Sequence, residues 1–161
     1  MDLKRRVGLL LLEAWELDLL IMNRILNEEE CVHEMLKTRD IMVKHIVTAK
    51  PNISIKKAIE MLFKRHVGAI VVTDDTRKCI GIFTERDAIR VVAQNISLNT
   101  PLKEVMTRNV VTISEDATFE ESRRLVVSHG VRHLPVVNSE RRLVGLVVVR
   151  QFLDEFFGMK S

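Results

Sequence analysis

The sequence predicts an α/β (α+β) protein made of two tandem β-α-β-β-α units. Two observations predict it: the chain repeats itself after 64 residues (105 − 41), and each copy alternates short apolar runs with helical patterns. The stretch IMVKHIVT at residues 41–48 aligns with VMTRNVVT at residues 105–112, and the same shift places Gly81 on Gly145 without a gap. A gapless repeat longer than a solenoid unit predicts two copies of one supersecondary module.

Each copy contains the same predicted elements in the same order. A short apolar strand (46–48 or 110–113) leads through a turn into a helix whose apolar residues share one face, as Ile55, Ala58 and Leu62 do in the first copy. A hairpin follows, with strands at 69–73 and 79–83 in the first copy and at 134–137 and 143–148 in the second. A final helix begins near Glu85 or Val149.

The predicted domain organisation has four parts. Residues 1–37 form an N-terminal amphipathic helix, residues 38–94 the first unit, residues 95–102 a linker and residues 103–161 the second unit. Within the first part, the span 9–26 has an unusually wide apolar face, which would leave a large exposed patch on a monomer. We therefore expect a homodimer; the alternative is that this helix folds back on its own module.

Composition indicates a soluble, cytoplasmic protein. Charged residues make up 29% of the chain and hydrophobic residues 47%, which is ordinary for a globular domain. The net charge is +3, but basic and acidic residues alternate along the chain and aromatic residues are only 4%, so nucleic-acid binding is not expected. Acidic residues interrupt the Leu-rich start, which argues against a signal peptide or a membrane span.

The sequence has no recognisable catalytic or metal-binding constellation. It lacks a P-loop, a GxGxxG stretch and a GxSxG stretch. Cys31 and Cys79 are far apart and predict buried thiols, while His129 and His133 bracket a turn and do not share a helix face. We expect neither an enzyme, nor a cofactor, nor a metal.

The most informative segment is GIFTERD at residues 81–87, where a strand ends and a helix begins. Thr84 stands at the expected N-cap and Asp87 lies three residues later, so the two residues fit a simple helix cap. They also fit a ligand site, because a helix N-terminus attracts anions and a carboxylate has two oxygens for two ribose hydroxyls. On these residues alone the cap interpretation is favoured, and the repeat strengthens the ligand interpretation.

The duplicated unit together with this segment closely resembles the cystathionine-β-synthase (CBS) domain family. Further matching stretches are VRHLPVV at residues 131–137 and HVGAIVV at residues 66–72. The resemblance covers the chain from Thr38 to about Phe157. It implies two units related by pseudo-twofold symmetry, called a Bateman module, and regulatory binding of AMP, ADP, ATP, S-adenosylmethionine or related ligands without chemistry on them.

The resemblance also implies two clefts, each combining the Thr and Asp of one copy with the first strand and the second-strand entry of the other. In the first cleft, Arg132 and His133 would face a phosphate, helped by Arg86, while Val110 and Val111 would meet adenine. The residues implied for this cleft are Thr84, Arg86, Asp87, Val110, Val111, Val131, Arg132, His133 and Pro135.

The second cleft departs from the family pattern, because Val148 and Gln151 replace the hydroxyl and the carboxylate. The residues implied for this weaker cleft are Ile46, Val47, Val67, Gly68, Ala69, Val148 and Gln151. We therefore expect one competent nucleotide cleft per chain, reporting to an unidentified protein target. The alternatives are an oligomerisation scaffold without a small ligand, an S-adenosylmethionine sensor and, on Lys4, Arg5 and Arg6 alone, a nucleic-acid regulator.

Overall fold

The computed structural model describes residues 36–150, so the N-terminal helix, Cys31, Gln151 and the last helix lie outside the described residues. Two three-stranded sheets of the same topology form the scaffold. Within residues 36–150, the predicted fold class and element order are confirmed. The helices are α1 (Thr38–Ile41), α2 (Ile55–Arg65), α3 (Glu85–Ala93) and α4 (Phe119–His129), with a 3-10 turn at Leu102–Glu104. The strands are β1 (Thr48–Ala49), β2 (Ala69–Thr73), β3 (Cys79–Thr84), β4 (Ile113–Ser114), β5 (His133–Val137) and β6 (Leu143–Val148).

The two sheets have the same pairing and register. In each, the first strand pairs parallel with the second, and the second pairs antiparallel with the third. The partner pairs Val72–Gly81 and Val136–Gly145 differ by the 64-residue shift. The hairpin turns also correspond, because the Asp74 and Asn138 side chains each accept hydrogen bonds from two backbone N–H groups of the turn.

The first strand of each copy starts later than the sequence predicts. β1 begins at Thr48 and β4 at Ile113, whereas the apolar runs begin at Ile46 and Val110. The side chains of Ile46 and Val110 are half-buried, but their backbones are not paired in the local sheet. The prediction followed hydrophobicity, which reports burial, and hydrophobicity does not locate the residue at which strand pairing begins.

Each copy is completed by the segment that precedes the other copy. The backbones of Val43 and Leu146 exchange two hydrogen bonds, of 2.8 and 3.0 Å, and those of Thr107 and Ile82 exchange two of 3.0 Å. Leu102, at the end of the predicted linker, is fully buried in the core of the first copy. The two units are therefore interlocked through their leading segments, residues 36–43 and 100–107.

The glycine of each hairpin makes room for this exchange. A Cβ atom built on Gly81 would collide with the Met106 side chain, and one built on Gly145 would collide with the Met42 side chain. Met42 and Met106 are themselves related by the 64-residue shift. The glycine of the GIFTERD segment is therefore explained by packing between the copies, without reference to a ligand.

Candidate functional site

Thr84 and Asp87 form a closed hydrogen-bonded cap at the start of α3. The backbone N–H of Thr84 and its hydroxyl both donate to Asp87 Oδ2, at 2.9 Å each. The backbone N–H of Asp87 lies 3.4 Å from Thr84 Oγ1, so it is a long return bond. The structure thus shows the helix cap directly. A ligand that binds to these two residues would bind to a cap that is already formed.

The other carboxylate oxygen of Asp87 is held by Arg90. Arg90 donates from one nitrogen to Asp87 Oδ1 and to the backbone carbonyl of Val105, at 2.7 Å each. The Asp87 side chain is 13% exposed. Because a carboxylate offers about four lone-pair positions, Oδ1 keeps a position for an incoming hydroxyl. The arrangement fixes the carboxylate rigidly and leaves it able to accept from a ribose.

The Thr84 hydroxyl has less freedom than the sequence suggests. Since its proton is donated to Asp87, Oγ1 can accept a hydrogen bond from a ribose hydroxyl. A phosphate oxygen is an acceptor, and it would have to draw that proton away from Asp87. The geometry therefore favours a ribose over a phosphate at Thr84.

His133 joins the two sets of predicted site residues. A Cβ atom built on Gly68 would lie 3.2 Å from His133 Nε2 and 3.6 Å from Glu85 Oε2. The first-cleft residue His133 thus packs on Gly68, which the sequence assigned to the second cleft. Burial, with a smaller effect of the Arg132 charge, lowers the pKa of His133 to about 4. Near neutral pH, His133 is therefore uncharged and would meet a phosphate through one N–H group.

The remaining first-cleft residues lie in three different settings. Val111 and Val131 pack against the core of the second copy, and Pro135 is buried in β5 opposite Leu146. Val110 is half-buried and follows the Thr107 bridge to β3 by three residues. Arg86 and Arg132 are exposed. The structure places Thr84 and Asp87 in hydrogen-bond contact, and it places His133 and Glu85, the first residue of α3, next to Gly68.

Apolar packing surrounds most of the second set. Ile46 and Val148 pack against an inter-copy cluster formed by Val71, Leu143 and Leu146, which also contacts Cys79. Burial raises the pKa of the Cys79 thiol. Three further residues of the second set belong to the packing of the first copy. Val47 and Val67 pack on its core, and Ala69 is buried in β2.

A feature that the sequence did not predict is a groove between residues 45–48 and one face of α2. It has a volume of about 610 Å³ and includes Ile46 and Val47 of the second set, but no first-cleft residue. Five α2 side chains line it, and three of them are Lys57, Lys64 and Arg65. Their spacing along α2 is helical, so the sequence carried a signal that could have found this surface, here called the α2 groove.

Two kinds of feature are missing from residues 36–150. None of their helices has the length and apolar character needed to cross a bilayer. No three of their histidine, cysteine, aspartate and glutamate side chains are grouped as metal ligands would be.

Comparison with known proteins matches the CBS domain to residues 39–94 and 102–158. The CBS domain-containing protein YhcV of Bacillus subtilis is 34% identical over 117 residues, which are 71% of this chain and 81% of that protein. The inosine-5′-monophosphate dehydrogenase of Methanocaldococcus jannaschii is 29% identical over 136 residues, 83% of this chain but only 27% of the enzyme.

Among solved structures, the CBS domain pair of protein MJ0100, in complex with 5′-methylthioadenosine and S-adenosyl-L-methionine, superposes with a TM-score of 0.70 at 33% identity. The match covers 78% of this chain and 98% of that one. The two matched segments contain the two observed β-α-β-β units. The chain therefore belongs to the CBS domain family.

Proposed function

We propose that the chain is a ligand-sensing regulatory module that binds an adenosine nucleotide of the AMP, ADP or ATP class and does not transform it. The observation that carries the proposal is the rigid Thr84–Asp87 pair at the start of α3, with a free acceptor position on Asp87 Oδ1. A ribose has two vicinal hydroxyls, of which one can donate to Asp87 Oδ1 and the other to Thr84 Oγ1. The adenosine-containing ligands in the MJ0100 complex support the same class of ligand.

The second candidate is an S-adenosylmethionine sensor, since the MJ0100 domain pair holds that ligand. Both candidates share the adenosine part and differ in the group attached at the ribose 5′ position. Thr84 Oγ1, already donating to Asp87, accepts from the ribose in either case. The phosphate or the sulfonium group would then be read by other residues, Arg86 and Arg132 being the exposed cations of the first set.

Calorimetric titration of the full chain with AMP, ADP, ATP and S-adenosylmethionine tests this proposal, with GMP as the control for base recognition. A ligand at 100 times its Kd raises the free energy of unfolding by about 2.7 kcal/mol, so thermal shifts provide an independent check. We expect saturable binding of at least one adenine nucleotide and no product after incubation. If none of the four ligands binds, the scaffold alternative replaces the sensor; if product forms, the protein is an enzyme.

A further inference from the structure

We propose that the α2 groove is a second ligand site, separate from the Thr84 cleft, and that it takes a di- or triphosphate chain. The groove volume of about 610 Å³ lies within the range of small-molecule sites. Its floor includes the half-buried Ile46, Val47 and Met61. Its rim carries three cationic side chains, which suit a ligand with several negative charges.

The cations of the rim share one face of α2. Lys57, Met61 and Lys64 follow the i, i+4, i+7 spacing, and Arg65 lies next to Lys64. At a rise of about 1.5 Å per residue, the Cα atoms of Lys57 and Lys64 are ~10 Å apart along the helix axis. Two flexible lysine side chains at this separation can approach both ends of a short phosphate chain.

These cations have no ion-pair partner among residues 36–150. The ion pairs of that part of the chain involve Lys50, Arg39, Arg90, Arg123 and Arg142, none of which lines the groove. Glu60 is the one acidic side chain of the lining. The lining therefore carries two more positive than negative charges, leaving His45 out of the count (three cations minus one acid).

The repeat provides an internal control for what the fold itself requires. Shifting by 64 residues replaces Lys57, Lys64 and Arg65 by Glu121, Ser128 and His129 on α4. Glu121 serves as the acid of the α4 cap, where it accepts from Thr118. Since α4 folds with the same length and register without these cations, the fold does not require the positive charge of α2.

The lining lacks the pair that marks the first cleft. It contains neither an aspartate nor a hydroxyl–carboxylate cap, so recognition would depend on charge and would not depend on ribose hydroxyls. A phosphate chain is common to nucleoside polyphosphates and to inorganic polyphosphate. Titrations with inorganic triphosphate and with ATP distinguish these two sources.

The test is calorimetric titration of the full chain with inorganic triphosphate, comparing Lys57→Gln/Lys64→Gln with Lys56→Gln/Lys103→Gln. Both variants lose two positive charges, but Lys56 and Lys103 are exposed and lie outside the groove. We expect saturable binding to the wild type, at least tenfold weaker binding to the groove variant and an unchanged Kd for the control. Binding of triphosphate should persist in Asp87→Ala, which separates this site from the Thr84 cleft.

ATP added to Asp87→Ala separates the two sources. Binding that is lost on adding the two groove substitutions identifies a nucleoside polyphosphate; binding of triphosphate without ATP identifies the inorganic chain. The proposal is overturned if neither triphosphate nor ATP binds to Asp87→Ala, or if the groove variant and the control variant weaken the binding equally. It is also overturned if an RNA or DNA oligonucleotide binds through Lys57 and Lys64 while neither triphosphate nor ATP does. Each result is independent of whether AMP binds at Asp87.

Discussion

The start of α3 and the end of β6 share one backbone arrangement and differ in their side chains. The N–H of Glu85 donates to Gly68 O and that of Val149 donates to Arg132 O, both at 3.1 Å. In the first copy, this backbone hydrogen bond is followed by the cap in which the Thr84 hydroxyl donates to the Asp87 carboxylate. In the second, Val148 packs into the inter-copy apolar cluster.

This difference shows that the end of the hairpin forms without the Thr–Asp pair. The second copy keeps the strand register and the backbone hydrogen bond with a valine at position 148. The polar pair of the first copy is therefore not required for the strand register or for this backbone hydrogen bond. A similar difference exists between α2 and α4, because Lys57 and Lys64 of α2 align with Glu121 and Ser128 of α4.

The two copies also differ at His133, which the 64-residue shift aligns with Ala69. This difference should have the largest effect on stability, and the effect should depend on pH. His133 has a folded-state pKa of about 4 against an ordinary value of 6.5, so the unfolded chain binds more protons between these pH values. Stability is therefore lost as pH falls from about 6.5 to about 4, by an amount on the order of 3 kcal/mol. Urea unfolding at several pH values should show this loss in the wild type and a smaller one in His133→Ala.

His45→Ala is the matched control, because His45 is exposed and precedes β1. We expect its pH profile to follow that of the wild type. An acid-induced loss that is equal in the wild type, His133→Ala and His45→Ala would show that His133 is not the group responsible.

Gly145 and Gly81 make the second test. A Cβ atom built on Gly145 would collide with the Sδ, Cγ and Cβ atoms of Met42. A Cβ atom built on Gly81 would collide only with the outer atoms Cγ, Sδ and Cε of Met106. Because outer side-chain atoms move more easily, Gly145→Ala should cost about 1–3 kcal/mol and Gly81→Ala less. Urea unfolding midpoints of the two variants measure the difference.

A double-mutant cycle with Met42→Ala should show that the cost of Gly145→Ala arises from this contact. If both alanine variants are as stable as the wild type, the close approach of methionine to glycine does not constrain the interface.

Local sequence patterns predicted the helices and strands, but they did not predict the pairing between residues far apart in the chain. The start of α3 followed from Thr84 and Asp87, since a helix cap is a short-range signal. The exchange of leading segments did not, because the partners Val43 and Leu146 are separated by most of the chain and leave no periodic pattern. The repeat aligns Met42 with Met106 and Gly81 with Gly145. It carries no sign that Met42 packs on Gly145 and Met106 packs on Gly81.

The site was predicted in part for the same reason. The Thr84–Asp87 hydrogen bonds follow from sequence spacing, whereas the Arg90 contact to Asp87 and Val105 depends on where the second leading segment packs. The low pKa of His133 arises from burial between the copies, which a sequence cannot display. The charged face of α2 was readable, but its significance depends on the adjoining residues 45–48, which form the other wall of the groove.

The central claim is that one cleft per chain, built on Asp87, binds the adenosine nucleotide. Glu121→Ala is the control for capping, because Glu121 holds the same position in the α4 cap. Losing either acid should cost stability by about 1 kcal/mol or less, and only Asp87 should affect affinity.

Calorimetric titration with AMP of the wild type, Asp87→Ala, Gln151→Ala and Glu121→Ala tests the claim most directly. A hydrogen bond to a charged group is worth about 1.5–3 kcal/mol, so Asp87→Ala should weaken binding roughly tenfold to a hundredfold. The wild type should bind one AMP per chain, and Gln151→Ala and Glu121→Ala should bind as the wild type does. Two equal sites per chain, or normal binding by Asp87→Ala together with weakened binding by Gln151→Ala, would contradict the account.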